Sequence, residues 1–281
     1  MNTTNRPVVV GIGDKQPTAL RFALQEAQRR GAELRVVHSA GVPAQAAAFY
    51  VGAEMLEGLL EGGQKVLDDA QHFVEGEGSS VHVTYVLTPA APIEALEAAA
   101  HEANPLIIGA DDISWPDRLL GGAIASHIAL HAPCPVIVVP ERTYPTPLAG
   151  GVLIALDGDT SARGPIQFAF EAASERDNVL HVLHAIPPAT TTEDAEGMRA
   201  NVGEILAGWA DTYPDVHVYV TYSVDDPEEA CIRATGQSEL VVIGRPHRHA
   251  LPFALARPLA AEVLKHAHCP VAVVPSDYRG A

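Results

Sequence analysis

The segment Pro105-Leu-Ile-Ile-Gly109 returns 135 residues later as Leu240-Val-Val-Ile-Gly244, each time at the close of an apolar run. At the same spacing His131-Ala-Pro-Cys-Pro-Val136-Ile-Val-Val-Pro140 matches His266-Ala-His-Cys-Pro-Val271-Ala-Val-Val-Pro275. Val81-His-Val83 matches Val216-His-Val218, and Pro92 pairs with Pro227. Nearer the start of each half Gly13 aligns with Asp157 at an offset of 144, so the second copy lacks about nine residues in between. Loops and helix ends accept such a length change at small cost. Self-similarity at so long a period means repeated structural units, and a unit of roughly 140 residues is a domain rather than one solenoid turn. Domains at 1–142 and 150–281 follow, joined across Glu141 to Gly151, where Pro145, Pro147, Gly150 and Gly151 give a linker composition.

Within each half, short apolar runs alternate with longer stretches of helical period, the pattern of a parallel sheet covered by helices. In the first copy the runs predict strands at Val8 to Ile12, Leu34 to His38, Val81 to Leu87, Leu106 to Gly109 and Val136 to Val139. Helices are predicted over Thr18 to Arg30, Met55 to Val74, Pro92 to Glu102 and Ala123 to His131. Strands built almost wholly of Val, Ile and Leu are buried on both faces, as in a doubly wound, Rossmann-like sheet. The second copy repeats the order from Val152 to Val274. The expected fold class is therefore α/β, as two tandem doubly wound domains, each with five parallel strands.

Charge narrows the range of partners. The chain has 35 Asp plus Glu against 18 Lys plus Arg, a formal net charge of -17, which repels nucleic-acid phosphates and anionic lipid. Neither a signal-peptide pattern at the N-terminus nor an apolar run of membrane-spanning length is present, and the expected location is the cytoplasm. Cys134, Cys231 and Cys269 are too few and too scattered for a disulfide framework or a zinc ribbon.

Five strands, a glycine closing the fourth, a loop, then a helix ending in His-Ala-x-Cys-Pro-Val before a last strand resemble the universal stress protein family in its tandem form. The resemblance covers nearly the whole chain and is specific at fold level, because that run occurs twice, each time at the right place. It implies an adenine-nucleotide alpha-hydrolase-like fold and a protein that acts in the stress response by binding rather than by catalysis. It also implies that last strands pair with one another. Val136 to Val139 and Val271 to Val274 would then form a pseudo-dimer within one chain, and a further homodimer is left open.

Members of that family that bind ATP carry an acidic residue after the first strand and a phosphate loop of Gly-x-x-Gly, nine residues, then Gly with Ser or Thr. Glycines let backbone N–H groups approach the phosphates, and the helix N-terminus favours negative charge. The first copy reads Gly109-Ala-Asp-Asp112 and then Gly122-Ala123, with Gly13 where the acid should stand. A carboxylate at about 5 Å from a polyphosphate costs on the order of 1–3 kcal/mol. The second copy reads Gly244-Arg-Pro-His247 and then Arg257-Pro258, and keeps Asp157 followed by Gly158. Pro258 removes both hydroxyl and N–H. Arg245, His247, Arg248, His249 and Arg257 nevertheless gather positive charge there, an arrangement that holds an anion by side chains. The candidate ligand positions are thus Gly109 and Gly122 in the first copy and Asp157, Gly158, Gly244, Arg245, His247 and Arg257 in the second. No cofactor is required by this reading; ATP or AMP in the second copy is the alternative.

Other groupings point to structure. His247 with His249, and His266-Ala-His268-Cys269, lack the separated ligand pairs of a structural zinc site, and His131 and His266 suit helix C-termini. Gly11-Ile-Gly13 is a fragment of a dinucleotide fingerprint and signals a tight strand-to-helix turn. Nucleophile elbow and P-loop are absent, and Asp111-Asp112 and Asp225-Asp226 read as solvated loop acids. A slow nucleotide hydrolase ranks last, since no metal-binding carboxylate accompanies a regular phosphate loop. Trp115 reads as a loop lid or partner contact, and Trp209 as helix packing. The expected function is a stress-response binding and regulatory module with degenerate nucleotide sites, contacting a protein partner or small ligand. The alternative is an ATP or AMP sensor using the second copy.

Overall fold

The computed structural model describes residues 6–14, 16–41, 53–110, 118–141, 150–156, 163–186, 190–245 and 259–280. The chain divides into two compact units, Met1–Glu141 and Arg142–Gly280.

In the first unit the elements run β1 (Val8–Ile12), α1 (Pro17–Arg30), β2 (Leu34–Ser39), α2 (Ala53–Gly76), β3 (Val83–Thr88), α3 (Pro92–Ala100), β4 (Leu106–Gly109), α4 (Arg118–His131) and β5 (Val136–Val139). The strands lie in the order β3-β2-β1-β4-β5 and every pair is parallel. Central strands are sealed: all five residues of β1 and all four of β5 are buried. Burial on both faces is what the unbroken Val and Ile runs require. Proline at the first helical position starts α1 and α3 with the right φ and no wasted N–H. Gly31 ends α1 in the left-handed region at φ 58, where its N–H reaches the carbonyls of Ala27 and Gln28.

The second unit repeats the series as β6 (Val152–Leu156), α5 (Arg163–Ser174), β7 (Leu180–Ala185), α6 (Thr192–Ala207), β8 (Val218–Ser223), α7 (Pro227–Thr235), β9 (Leu240–Gly244), α8 (Leu259–His266) and β10 (Val271–Val274). Its order is β8-β7-β6-β9-β10, again all parallel. Phe168 and Phe170 of α5 are the largest fully buried side chains, and Trp209 stacks on Phe170 at 5.7 Å, packing just beyond the end of α6. The missing residues fall between the second and third strands, where α2 has 24 residues and α6 has 16.

Strand ends differ from expectation by a residue or two. Strand β3 begins at Val83 rather than Val81, because the Val81 N–H is taken by the Ser79 hydroxyl at 3.3 Å. The larger difference is α4, which starts at Arg118 and runs through Gly121 and Gly122. Two glycines, each costing roughly 1 kcal/mol in a helix, read as a stop in the sequence. Among the described residues no helix is long and apolar enough to cross a membrane.

All three cysteines are buried, and burial pushes the thiols of Cys231 and Cys269 up to about 11 and about 12. Since the thiolate is the reactive form, a thiol-specific dye added to native protein at neutral pH should label none of the three on a timescale that labels all three in denaturant. Helix α7 is capped by Asp226, whose Oδ1 accepts from the N–H groups of Glu228 at 2.9 Å and Glu229 at 3.4 Å. Asp226→Ala should lower unfolding free energy by about 1 kcal/mol in a denaturant titration.

Candidate functional site

In a doubly wound sheet, ligands bind beyond the carboxyl ends of the strands where the strand order reverses, here between β1 and β4 and between β6 and β9. The first unit has a cleft of about 200 Å³ at that place. Its floor is the end of β1, Gly11 to Gly13, and the end of β4, Ile108 to Ala110; its walls are β2, α3 and α4. His38 is the only titratable side chain among the described residues that line it.

Gly11 lies inside β1 rather than in the turn after it. A Cβ there would stand 2.3 Å from Leu96 Cδ2, so the glycine lets α3 close down over the strand. Around Gly13 there is room for a side chain, the nearest atom being Gln16 Nε2 at 3.9 Å. What Gly13 supplies is its N–H, donated to Gln16 Oε1 at 3.1 Å. The Gln16 amide also lies against Gly109, where a Cβ would meet its Cδ and Nε2 at 2.9 Å. A neutral amide from the start of α1 thus bridges the two glycine-bearing strand ends, in the space where a phosphate would need them. Gly122 lies inside α4, where helix geometry commits its N–H to the Arg118 carbonyl. Gly109 therefore stands in the cleft floor, while Gly122 presents no free donor.

At the second switch point Gly244 closes β9, and Arg245 follows with its N–H donating to the Val274 carbonyl at 2.9 Å. Pro165 of α5 covers Gly244, its Cγ lying 3.3 Å from where a Cβ would be. In each unit, then, a side chain from the first helix or its start sits over the glycine that ends the fourth strand. Asp157, Gly158, His247 and Arg257 lie outside the described residues, as do Asp111, Asp112, Trp115, Arg248 and His249.

One shared feature escaped the reading of the sequence. His38 at the end of β2 has its Nδ1 2.9 Å from the Ile12 carbonyl, and His184 of β7 has its Nδ1 2.9 Å from the Leu156 carbonyl. A carbonyl only accepts, so each ring carries a hydrogen on Nδ1 and donates it there. His184 Nε2 is buried and has no hydrogen-bond partner among the described residues, whereas the His38 ring lines the open cleft. The signal available was positional: Ile12 pairs with His38 and Leu156 with His184 in equivalent registers. Among the described residues no group of three or more His, Cys, Asp or Glu side chains is placed to hold a metal, and His266 at the end of α8 faces Glu262 at 3.9 Å.

A family model described as the universal stress protein family matches residues 4–140 and 151–275. A universal stress protein of Mycobacterium tuberculosis is 28% identical over 288 residues, covering 95% of this chain and 95% of that protein. The crystal structure of a universal stress protein from Archaeoglobus fulgidus aligns with a TM-score of 0.72 at 16% identity, covering 99% of this chain and 97% of that one. A universal stress protein from Archaeoglobus fulgidus solved in complex with dAMP is 25% identical, covering 48% of this chain and 98% of that one, with a TM-score of 0.35. Two matched segments, each coinciding with a five-stranded parallel sheet, establish that the chain belongs to the universal stress protein family and carries two of its domains in tandem.

Proposed function

We propose that this protein is a stress-response binding and regulatory module whose nucleotide sites have degenerated, acting through a small ligand or a protein partner and not through catalysis. The observation that carries this reading is the amide bridge of Gln16, which fills the space between Gly13 and Gly109. A polyphosphate needs free N–H donors and positive charge at that point, and the described lining of the cleft offers neither a Lys or Arg side chain nor an uncommitted glycine N–H. A cleft of about 200 Å³ with a mostly apolar lining is also small beside the roughly 300–1,000 Å³ of usual ligand pockets.

A second reading is favoured by one specific observation. Arg245 directly follows the glycine that ends β9, at the carboxyl edge of the sheet, and the sequence continues with His247, Arg248 and His249. Under this reading the second unit senses ATP or AMP, with Asp157 and Gly158 on the adenine side and Arg245, His247 and Arg257 on the phosphates.

Calorimetric titration of the full chain with ATP and with AMP, with and without magnesium, separates the two. Degenerate sites give no saturable heat for either nucleotide. Tight, magnesium-dependent binding in both units would overturn the degeneration. Binding at a single site per chain, abolished by Asp157→Asn and by Arg257→Ala, would establish the sensor in its place.

A further inference from the structure

Strand β8 ends the sheet of the second unit. Among the described residues it is bonded on one side only: Leu180 N–H donates to the His217 carbonyl and Ile186 N–H to the Ser223 carbonyl. His217, Tyr219, Thr221 and Ser223 therefore turn their backbone groups toward β7, and by alternation Val218, Val220 and Tyr222 turn theirs outward. Outward groups at an edge are a template for another strand, and proteins guard such edges with charged residues, proline or bulges. The run Val218-Tyr-Val-Thr-Tyr-Ser223 contains no charge and no proline, and its register with β7 is unbroken. Tyr219, Val220 and Thr221 are exposed in succession, Tyr219 by 57% and Val220 by 39%. Because consecutive strand residues point to opposite faces, the middle of β8 is open on both.

The first unit provides the comparison. Its edge strand β3 has an equally uncharged sequence, yet only Val86 is exposed. Helix α2 lies on it so closely that a Cβ at Gly63 would meet Leu87 Cδ1 at 2.7 Å. In the second unit the corresponding helix α6 is shorter and reaches β8 through Arg199, whose guanidinium lies 5.4 Å from the Tyr222 ring centre.

Acidic groups frame the open strand. Exposed Asp211 and Asp215 precede it; exposed Asp225, Asp226 and Glu229 follow it. Among the described residues Arg233 pairs with Asp225 alone, at 2.6 Å. We propose that β8 is a docking edge for an extended segment of another protein, which joins the sheet as a further strand. That segment carries β-branched or aromatic residues at its centre, packing on both faces of Tyr219 to Thr221, and Lys or Arg beyond each end, facing the two acidic groups. Backbone pairing supplies the affinity and the flanking charges the selection. A second copy of this chain is the poorer occupant, because it would bring two acidic frames together in a protein of net charge -17. The surface uses none of the residues on which either nucleotide reading rests, so nucleotide titration and the following test fail or succeed separately.

The full chain is panned against a random library of short peptides displayed on phage, and the enriched peptides are measured by fluorescence anisotropy. The expected peptides have apolar β-forming centres and basic ends and bind more weakly as salt rises. Their affinity falls at least about tenfold for Val220→Pro, which removes an outward N–H while sparing the ladder to β7, and for Thr221→Lys, which places a gatekeeper charge on an exposed position. Circular dichroism of both variants checks the fold, and Thr221→Lys serves alone if the proline variant does not fold. No enrichment, or peptides whose binding survives Thr221→Lys, overturns the proposal. So does sedimentation showing that the chain self-associates through β8 and that Thr221→Lys makes it monomeric.

Discussion

Everything in each unit follows from burying parallel strands on both faces. A strand such as β1, wholly out of water, must pair both sides of its backbone and lie under helices on both faces. Parallel neighbours can be joined only by crossovers, which accounts for the helix between each pair of successive strands. The chain lays β2 and β3 to one side of β1 and then returns to lay β4 and β5 on the other. The crossovers leave in opposite directions at that return, so a crevice opens between the ends of β1 and β4 without any residue being dedicated to making it. The same holds between β6 and β9.

Family membership therefore fixes the crevice but not its use, which depends on what fills it. In the first unit the filling is a neutral amide held by a backbone N–H, and in the second a proline covers the corresponding glycine. Both residues come from the start of the first helix, the element best placed to close or open the site. The paired histidines act at the opposite wall. Each ties the end of the second strand to the last carbonyl of the first, satisfying an acceptor at the point where the first strand leaves the sheet. His38 remains at a cleft while His184 is sealed, so a repeated bond serves two different surroundings.

Much of this was legible in the sequence. Apolar runs predicted β1, β4 and β5 to the residue, because a strand buried on both faces tolerates no polar interruption and so shows its own limits. The start of α4 was not legible, since Gly121-Gly122 lowers helix propensity and only tertiary packing overrides it. Gly11 was visible as a glycine but not as the seat of Leu96, a contact between residues far apart in the chain. Gln16 gave no signal at all. Its role depends on a side chain folding back on a turn three residues earlier, and a glutamine before a helix reads as an ordinary polar residue. His38 and His184 were hidden for a similar reason, since a ring bonded to a neighbouring strand's carbonyl has no local pattern.

The shortened segment between the second and third strands has the widest consequence of the differences between the copies. Removing residues from a crossover leaves the sheet beneath unaltered, because the ladder is set by the strands: β7 and β8 pair over six residues as β2 and β3 do. What it removes is cover. A helix of 24 residues holds the outer strand of the first unit half-buried, whereas one of 16 leaves Tyr219, Val220 and Thr221 in water. An apolar edge in that condition is unfavourable for a solitary protein, since it invites indiscriminate strand addition. The acidic residues at both ends of β8 act against that by repelling like-charged chains at a distance while leaving the centre of the strand unguarded. Charge placed at the ends rather than the middle discriminates among partners without blocking the pairing itself, which is the arrangement a selective edge requires.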